Sequence, residues 1–422
     1  MATTYDAADV FRPRAFPTLT YVTRAADSDD SYETMLQRAL RTPGTLISVT
    51  GASKTGKTVL CHKVLPEDRI LLLGGGQIRT IDDFWEQIAE RLDLPIEWQV
   101  THTATQANAI KGEGSGSAGL PLVGQLHLGG GSSRTTSQGE NIAYKVTRNK
   151  SSIIKNLIDH QRTLIIDDFH YIDSEVQLYI ARVLKAEIFN GLRVILLSLP
   201  HRADDAIRLN PDLIGRTAFI DLAPWTEADL TEIARKGFQL LHIHVPDEFL
   251  VTMAAESASS PQLMQEICLN LALDLQDAGQ SDAAAPLLQK IFRRTAKNYQ
   301  HYRDVLQDAS HGPSQGRTHR KQYPAPSGKI YDVYSLLLTS IALDPPILRL
   351  SLDEIRQRMV RLLGSHDIPA KLTIANAIKH IAATIRAALP KHDTIDVKNN
   401  TLYILDPLLL FYLRWDDSWK SP

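Results

Sequence analysis

Through its first 225 residues the chain alternates short apolar runs with longer stripes that are apolar on one face. Residues 45–50 (TLISVT), 69–73 (RILLL), 163–167 (TLIID), 193–198 (RVILLS) and 218–222 (AFIDL) are short and rich in aliphatic side chains. Runs of this kind fit strands covered on both sides, because a strand with one wet face would alternate apolar with polar. Between them, Tyr32, Met35, Leu36, Ala39 and Leu40 recur at helical spacing. Phe84, Trp85, Ile88 and Leu92 do the same behind two candidate caps, Thr80 and Asp82. Strand–helix alternation predicts an α/β fold with a parallel sheet, occupying residues 1–225. From 226 to 308 the pattern turns helical throughout, which predicts a helical lid. Residues 309–328 mix Gly, Pro and Ser with Arg317, Arg320 and Lys321 and read as a linker. In the last segment, 329–422, stripes at 331–342, 352–363 and 373–389 predict three helices. Residues 394–397 and 402–405 flank Lys398-Asn399-Asn400-Thr401, which predicts a two-stranded hairpin.

Composition narrows the partners. The chain has 422 residues, 46 basic against 48 acidic, for a net charge of −2, which excludes a uniformly basic nucleic-acid coat. Residues 309–422 nevertheless hold 15 Lys and Arg against 10 Asp and Glu, so a local basic surface is compatible with the neutral total. Two cysteines, Cys61 and Cys268, stand far apart in apolar stretches; this excludes a disulfide scaffold or a cysteine zinc site and fits a reducing, cytoplasmic setting. No apolar stretch nears the ~18 residues that span a bilayer, and the first residues carry no secretory pattern, so no integral membrane segment is expected. Eight of the 23 glycines fall between Gly112 and Gly131, inside an insert at about 100–150. There Leu120, Leu122, Leu126 and Leu128 alternate, as do Ile142, Tyr144 and Val146; the segment is either a β-hairpin turned at 129–139 or an unstructured loop. As a hairpin it could not bury its leucines alone, and would need a partner chain, a ligand or a membrane surface.

The chemistry is concentrated at residues 51–58, GASKTGKT, which match G-x-x-x-x-G-K-[ST] between an apolar strand and a helical stripe. Gly51 and Gly56 let the backbone of Ala52, Ser53, Lys54 and Thr55 wrap so that N–H groups face phosphate oxygens, and the following helix offers its positive end to the same anion. Lys57 is placed for the β- and γ-phosphates of ATP, and the Thr58 hydroxyl for Mg²⁺. The second half of such a site is a strand ending in acid, and TLIIDDFH supplies it. Asp167 is the Mg²⁺ candidate, and Asp168 the candidate for polarising the attacking water. Aspartate is one methylene shorter than the more usual glutamate, so hydrolysis is either slow or helped by another group. His170 packs, bonds locally or takes part in catalysis. Ser198, ending the next strand, either hydrogen-bonds the γ-phosphate or water, or is a buried strand-end serine.

GASKTGKT, TLIIDDFH and the strand ending at Ser198, in that order, resemble the P-loop ATPases of the AAA+ and STAND group over roughly residues 15–300. The Asp-Asp-x-His ending and the segment Ser260-Pro261-Gln262-Leu263-Met264-Gln265 are similar to origin-recognition-type and STAND-type members. The likeness implies that Pro261 meets the nucleotide, although Ser259 and Ser260 stand in the expected glycine region. Tyr21-Val22-Thr23-Arg24 resembles the segment that leans on the adenine, which puts Arg24 at the base. Arg216, just before the 218–222 strand, stands where such families place an arginine finger acting on a neighbour's nucleotide, and is otherwise a surface arginine. The three helices and hairpin after 329 look like an α+β winged helix, and the closing YILDPLLLFYLRW resembles the end of STAND-like modules. Read as a DNA binder, that module would present Lys379 and Arg386 on its third helix, with Lys371 and Lys391 near its ends; the Ala- and Ile-rich helix equally fits protein contact. The expectation is an ATP-binding and ATP-hydrolysing switch, alternating between ATP and ADP, that controls homo-oligomerisation and partner binding. Two alternatives stand beside it: a DNA-binding ATPase of the initiator or transposition-regulator type, and a nucleotide-stabilised scaffold for a protein partner in defence or signalling.

Overall fold

The computed structural model describes residues 5–26, 30–94, 98–103, 141–146, 150–199, 215–313, 320–365, 367–390 and 393–420. The first elements are α1 (Ala7–Val10), α2 (Tyr32–Arg41), β1 (Leu46–Gly51), α3 (Lys57–Val64), β2 (Ile70–Gly74) and α4 (Ile81–Arg91). They continue with β3 (Trp98–Thr103), β4 (Asn141–Val146), α5 (Lys150–Asp159), β5 (Thr163–Asp167), α6 (Ser174–Phe189), β6 (Arg193–Ser198) and β7 (Thr217–Leu222). Five of the strands form one sheet in the order β2-β5-β6-β1-β7. Every neighbouring pair in it is parallel. All five expected strands are present, with ends displaced by no more than one residue.

The sheet is sandwiched, and the alternation along each strand decides which side chain goes where. Leu164 and Ile166 of β5 pack with Phe84, Ile88, Ile153 and Leu184 from α4, α5 and α6. Ile165, between them, faces the opposite side with Leu36, Leu60 and Cys61 of α2 and α3. Phe84 and Ile88 are fully buried, each contributing about 2 kcal/mol of transfer free energy. Thr80 rather than Asp82 caps α4: its hydroxyl accepts from Asp83 N while the Asp83 carboxylate accepts from Thr80 N.

The second body is helical. It comprises α7 (Glu227–Leu240), α8 (Asp247–Glu256), α9 (Pro261–Asp277), α10 (Ala285–Lys297) and α11 (Arg303–His311). A C-terminal module follows: β8 (Tyr323–Pro324), β9 (Ile330–Tyr331), α12 (Val333–Ile341), β10 (Arg349–Ser351), α13 (Leu352–Leu363), α14 (Lys371–Ala388), β11 (Ile395–Lys398), β12 (Thr401–Ile404) and α15 (Pro407–Trp415). The expected hairpin turns at Asn399 and Asn400, both at positive φ (48° and 59°), and β10 adds a third strand against β12. Parts of the expected linker are themselves packed: α11 runs to His311, and Tyr323 is buried in a short pairing of β8 with β9, while 314–319 lie outside the described residues. The helical body and the module share a single apolar core, in which Leu271 and Phe292 join Leu336, Ile381 and Phe411.

In the insert, β4 is one of the two expected arms, but it pairs antiparallel with β3, not with a leucine arm. The expected leucine arm at 120–128 and the glycine turn lie outside the described residues. No helix among the described residues is long and apolar enough to cross a membrane.

Candidate functional site

At the C-terminal end of β1 the chain turns sharply at Gly51, where a Cβ would stand 2.9 Å from Thr55 Oγ1 and 3.1 Å from Leu222 Cβ. Lys54 (φ 62°) and Gly56 (φ 95°) both adopt left-handed backbone, and α3 begins at Lys57. Left-handed turns of this kind are what allow backbone N–H groups to line a phosphate cradle. The Lys57 ammonium folds over the loop and donates to Gly51 O and Ala52 O, both at 3.0 Å. Burial lowers its pKa, opposed by the charges of Asp167 and Asp168.

The acid strand β5 lies two strands from β1, with β6 between them. Thr58 Oγ1 donates to Asp167 Oδ2 at 2.6 Å, so a hydroxyl and a carboxylate from different elements already converge. Among the described residues no group of three or more His, Cys, Asp or Glu could hold a metal by itself. Mg²⁺ needs no such group, being held as a rule by one or two protein oxygens together with substrate phosphates and water. Asp168 follows in a left-handed conformation (φ 51°). Its carbonyl packs against Gly75, where a Cβ would lie only 2.4 Å away. Partial burial raises the Asp168 carboxyl pKa, and the neighbouring Asp167 raises it further.

Loop and acid strand line a cavity of 620 Å³, within the range of about 300–1,000 Å³ typical of small-molecule sites. Its second wall is the segment between α1 and α2, including Arg12, Arg14, Tyr21 and Arg24. The helical body fixes this strap: Gln265 of α9 accepts from Arg12 N and donates to Thr20 Oγ1. Arg24 is buried, lies 4.3 Å from the Trp225 ring and 5.1 Å from the Tyr32 ring, and donates to Ala223 O. Trp225 in turn donates to Thr55 O of the phosphate loop at 2.9 Å. The hinge between sheet and helical body is thereby hydrogen-bonded to the loop. Pro261 lines the cavity as the first residue of α9, capped by Ser260. Ala258 and Ser259 before it have φ of 44° and 61°, which explains why glycine is the expected residue type there.

Two further groups come from the C-terminal module, and the sequence reading did not find them. Asp406 Oδ1 accepts from Lys54 Nζ at 2.9 Å and from Leu408 N, while its Oδ2 accepts from the Tyr302 hydroxyl. Asp393 Oδ2 stands 3.2 Å from His170 Nε2, and Asp393 N donates to the Tyr171 hydroxyl. Both aspartates border the cavity. Nothing local marks them, since Asp393 reaches His170 across 223 residues and Asp406 reaches the loop across 352.

The remaining expected residues lie elsewhere. Ser198, paired in register with Thr50, is fully buried, and its hydroxyl has no hydrogen-bond partner among the described residues; its neighbour Leu199 forms the cavity wall. Arg216 immediately precedes β7, about 20 Å of strand from the end that borders the cavity. It leans on the exposed Phe189 ring and takes no part in its own chain's cavity. Lys379 and Arg386 are exposed on α14, with Arg386 drawn to Asp396 at 3.6 Å and Lys371 paired to Asp353 at 2.8 Å.

Neither a family model nor a curated protein matches the chain. Among solved structures it is similar to Cdc6p from Pyrobaculum aerophilum, at 14% identity over 98% of each chain with a TM-score of 0.43. It is similar also to a Walker-type ATPase of Pyrococcus abyssi, at 13% identity over 94% of this chain and 100% of that one, with a TM-score of 0.45. A third is the Orc1 protein of Aeropyrum pernix, solved in complex with DNA, at 12% identity over 96% of each chain and a TM-score of 0.43. The fold is read from this chain itself: on its strand order, its phosphate loop and its acid strand, it has a P-loop NTPase fold with a helical body and a C-terminal α+β module.

Proposed function

We propose that the chain is an ATP-binding and ATP-hydrolysing switch, in which occupation of the phosphate loop sets how the helical body and C-terminal module close on the sheet. The observation that carries this reading is the ion pair between Lys54 of the loop and Asp406 of the module. A carboxylate held against a phosphate cradle competes with phosphate for the same cation, and like charge opposes their sharing it. ATP therefore weakens one of the contacts that tie the module to the sheet.

Hydrolysis follows the arrangement of the remaining groups. Water attacks the γ-phosphorus, the bond from that phosphorus to the β–γ bridging oxygen breaks, and ADP leaves with the electron pair. The water proton passes to phosphate or to Asp168, which lines the cavity. Thr58 and Asp167 would hold Mg²⁺, which would supply neutralising charge at the phosphates. Lys57 stabilises the same charge, and Arg24 with Trp225 backs the region expected for the base.

Homo-oligomerisation through Arg216 and recognition of a protein partner belong to this reading as consequences of closure. DNA recognition is a second reading, resting on the exposed Lys379 and Arg386. It is weakened by the carboxylates already drawn to Arg386 and Lys371, since phosphate affinity grows with the number of free cations. A gel shift at low salt with and without ATP separates the two: ATP-dependent retardation favours DNA recognition, and none rejects it. The switch itself is tested by titrating Mg²⁺ and a fluorescent ATP analogue against wild type and Lys57→Ala. Binding is expected in the first and a loss of at least tenfold in the second, whereas equal affinities would overturn the reading.

A further inference from the structure

His170 is the least accounted-for polar group at the site. Its side chain is only 2% exposed, its Nε2 meets the Asp393 carboxylate at 3.2 Å, and its Nδ1 is buried without a partner among the described residues. A carboxylate accepts only, so at this contact Nε2 carries a hydrogen and donates. A buried imidazole held by a single partner from a distant part of the chain calls for a functional reason.

The turn that carries it supplies one. Residues Phe169–Tyr171 form a single 3-10 turn, closed by Tyr171 N donating to Asp168 O at 3.0 Å. Phe169 is anchored within the sheet body, where its carbonyl accepts from Gln177 at 2.8 Å. The other two side chains are both held by one residue of the module: Asp393 takes the His170 N–H and gives its own N–H to the Tyr171 hydroxyl at 3.3 Å. Asp168 stands directly before this turn in a left-handed conformation. The direction of its short side chain is therefore tied to the turn, which is held on one side by Phe169 within the sheet body and on the other by Asp393 of the module.

We propose that His170 and Asp393 form a clasp through which the C-terminal module positions Asp168, so that docking of the module supports hydrolysis without being required for nucleotide binding. The clasp compensates for the missing methylene of the acid by holding its turn in one place. This inference rests on the reading of the chain as an ATPase. His170 acts here as a positioning residue, through Asp168, and not by touching the substrate.

The experiment measures single-turnover phosphate release with Mg²⁺-ATP, and separately the dissociation constant of a fluorescent ATP analogue, for the full chain. His170→Ala and Asp393→Ala are each expected to slow release at least tenfold with the dissociation constant within threefold of wild type. The double variant is expected to be no slower than the slower single, because either change opens the same clasp. Asp393→Asn, which keeps an oxygen for the His170 N–H, should recover to within threefold of wild type. Should His170→Ala fail to fold, His170→Asn takes its place with the same expectation. Single variants within twofold of wild type, losses that multiply, or an Asp393→Asn as slow as Asp393→Ala would each overturn the clasp. Wild type that binds ATP but releases no phosphate also overturns it while leaving nucleotide binding intact; wild type that binds no ATP removes the ATPase reading itself.

Discussion

Gly237, in the middle of α7, is the residue on which the strap depends. A Cβ there would lie 2.2 Å from two ring carbons of Phe11, a fully buried side chain that also packs on Phe238 with ring centroids 5.0 Å apart. Glycine inside a helix costs stability relative to alanine when nothing else intervenes, so Gly237→Ala would stabilise a free helix. Here the overpacking dominates: the variant should lose about 1–3 kcal/mol in urea unfolding, and because Arg12, Tyr21 and Arg24 of the strap line the cavity, nucleotide affinity should fall with it. Unchanged stability would mean that Phe11 has somewhere else to go. The same scale separates what could be read in advance from what could not. The placement of Gly51, Lys57, Thr58 and Asp167 was legible because each sits in a motif defined by neighbours within a few residues. Trp225, Asp393 and Asp406 were not, because a tryptophan before a helix cap and two loop aspartates carry no local signal. Only the fold brings them to the loop.

Elements were legible where one physical cause fixes them. The buried strands announced themselves by continuous aliphatic runs, and α4 by its apolar stripe behind Thr80, one of its two candidate caps. The insert shows the opposite case: alternation at residues 142–146 specifies a strand but not its partner, since any antiparallel neighbour satisfies a period of two. The observed partner is β3. The start of α9 was legible only as an anomaly, serines standing where glycine was expected. Ser259 sits at φ 61° there, a backbone region that disfavours a Cβ by roughly 1–2 kcal/mol. Relief of that strain is partly offset by the extra freedom glycine gains when unfolded. Ser259→Gly should therefore raise stability by about 0.5–1 kcal/mol, read as a higher urea midpoint at unchanged slope. A lower midpoint would show that the Ser259 side chain makes contacts worth more than the strain.

At the scale of the whole molecule, the closing unit is set by where the core is continuous. A lid and an appended module, separately stable, would move independently, but here both contribute to one apolar core while the sheet body keeps its own two. The join is reinforced by Arg414 of α15, whose guanidinium donates to both carboxylate oxygens of Glu256 at the end of α8 and to Ala342 O after α12. Trp415 donates to the same carboxylate at 2.6 Å. Both members of the pair are nearly fully buried, at 6% and 8% side-chain exposure. Removing one partner strands the other charge in a low-dielectric setting, which costs about 3–5 kcal/mol. Arg414→Met keeps the apolar stem and deletes the charge, so the loss should be electrostatic rather than a packing defect. If helical body and module are one cooperative unit, amide exchange in that variant should accelerate together in α8, α9, α12 and α15, with the sheet strands much less affected. Acceleration confined to α15 would show two units that merely touch, and nucleotide closure would then have to move the helical body alone.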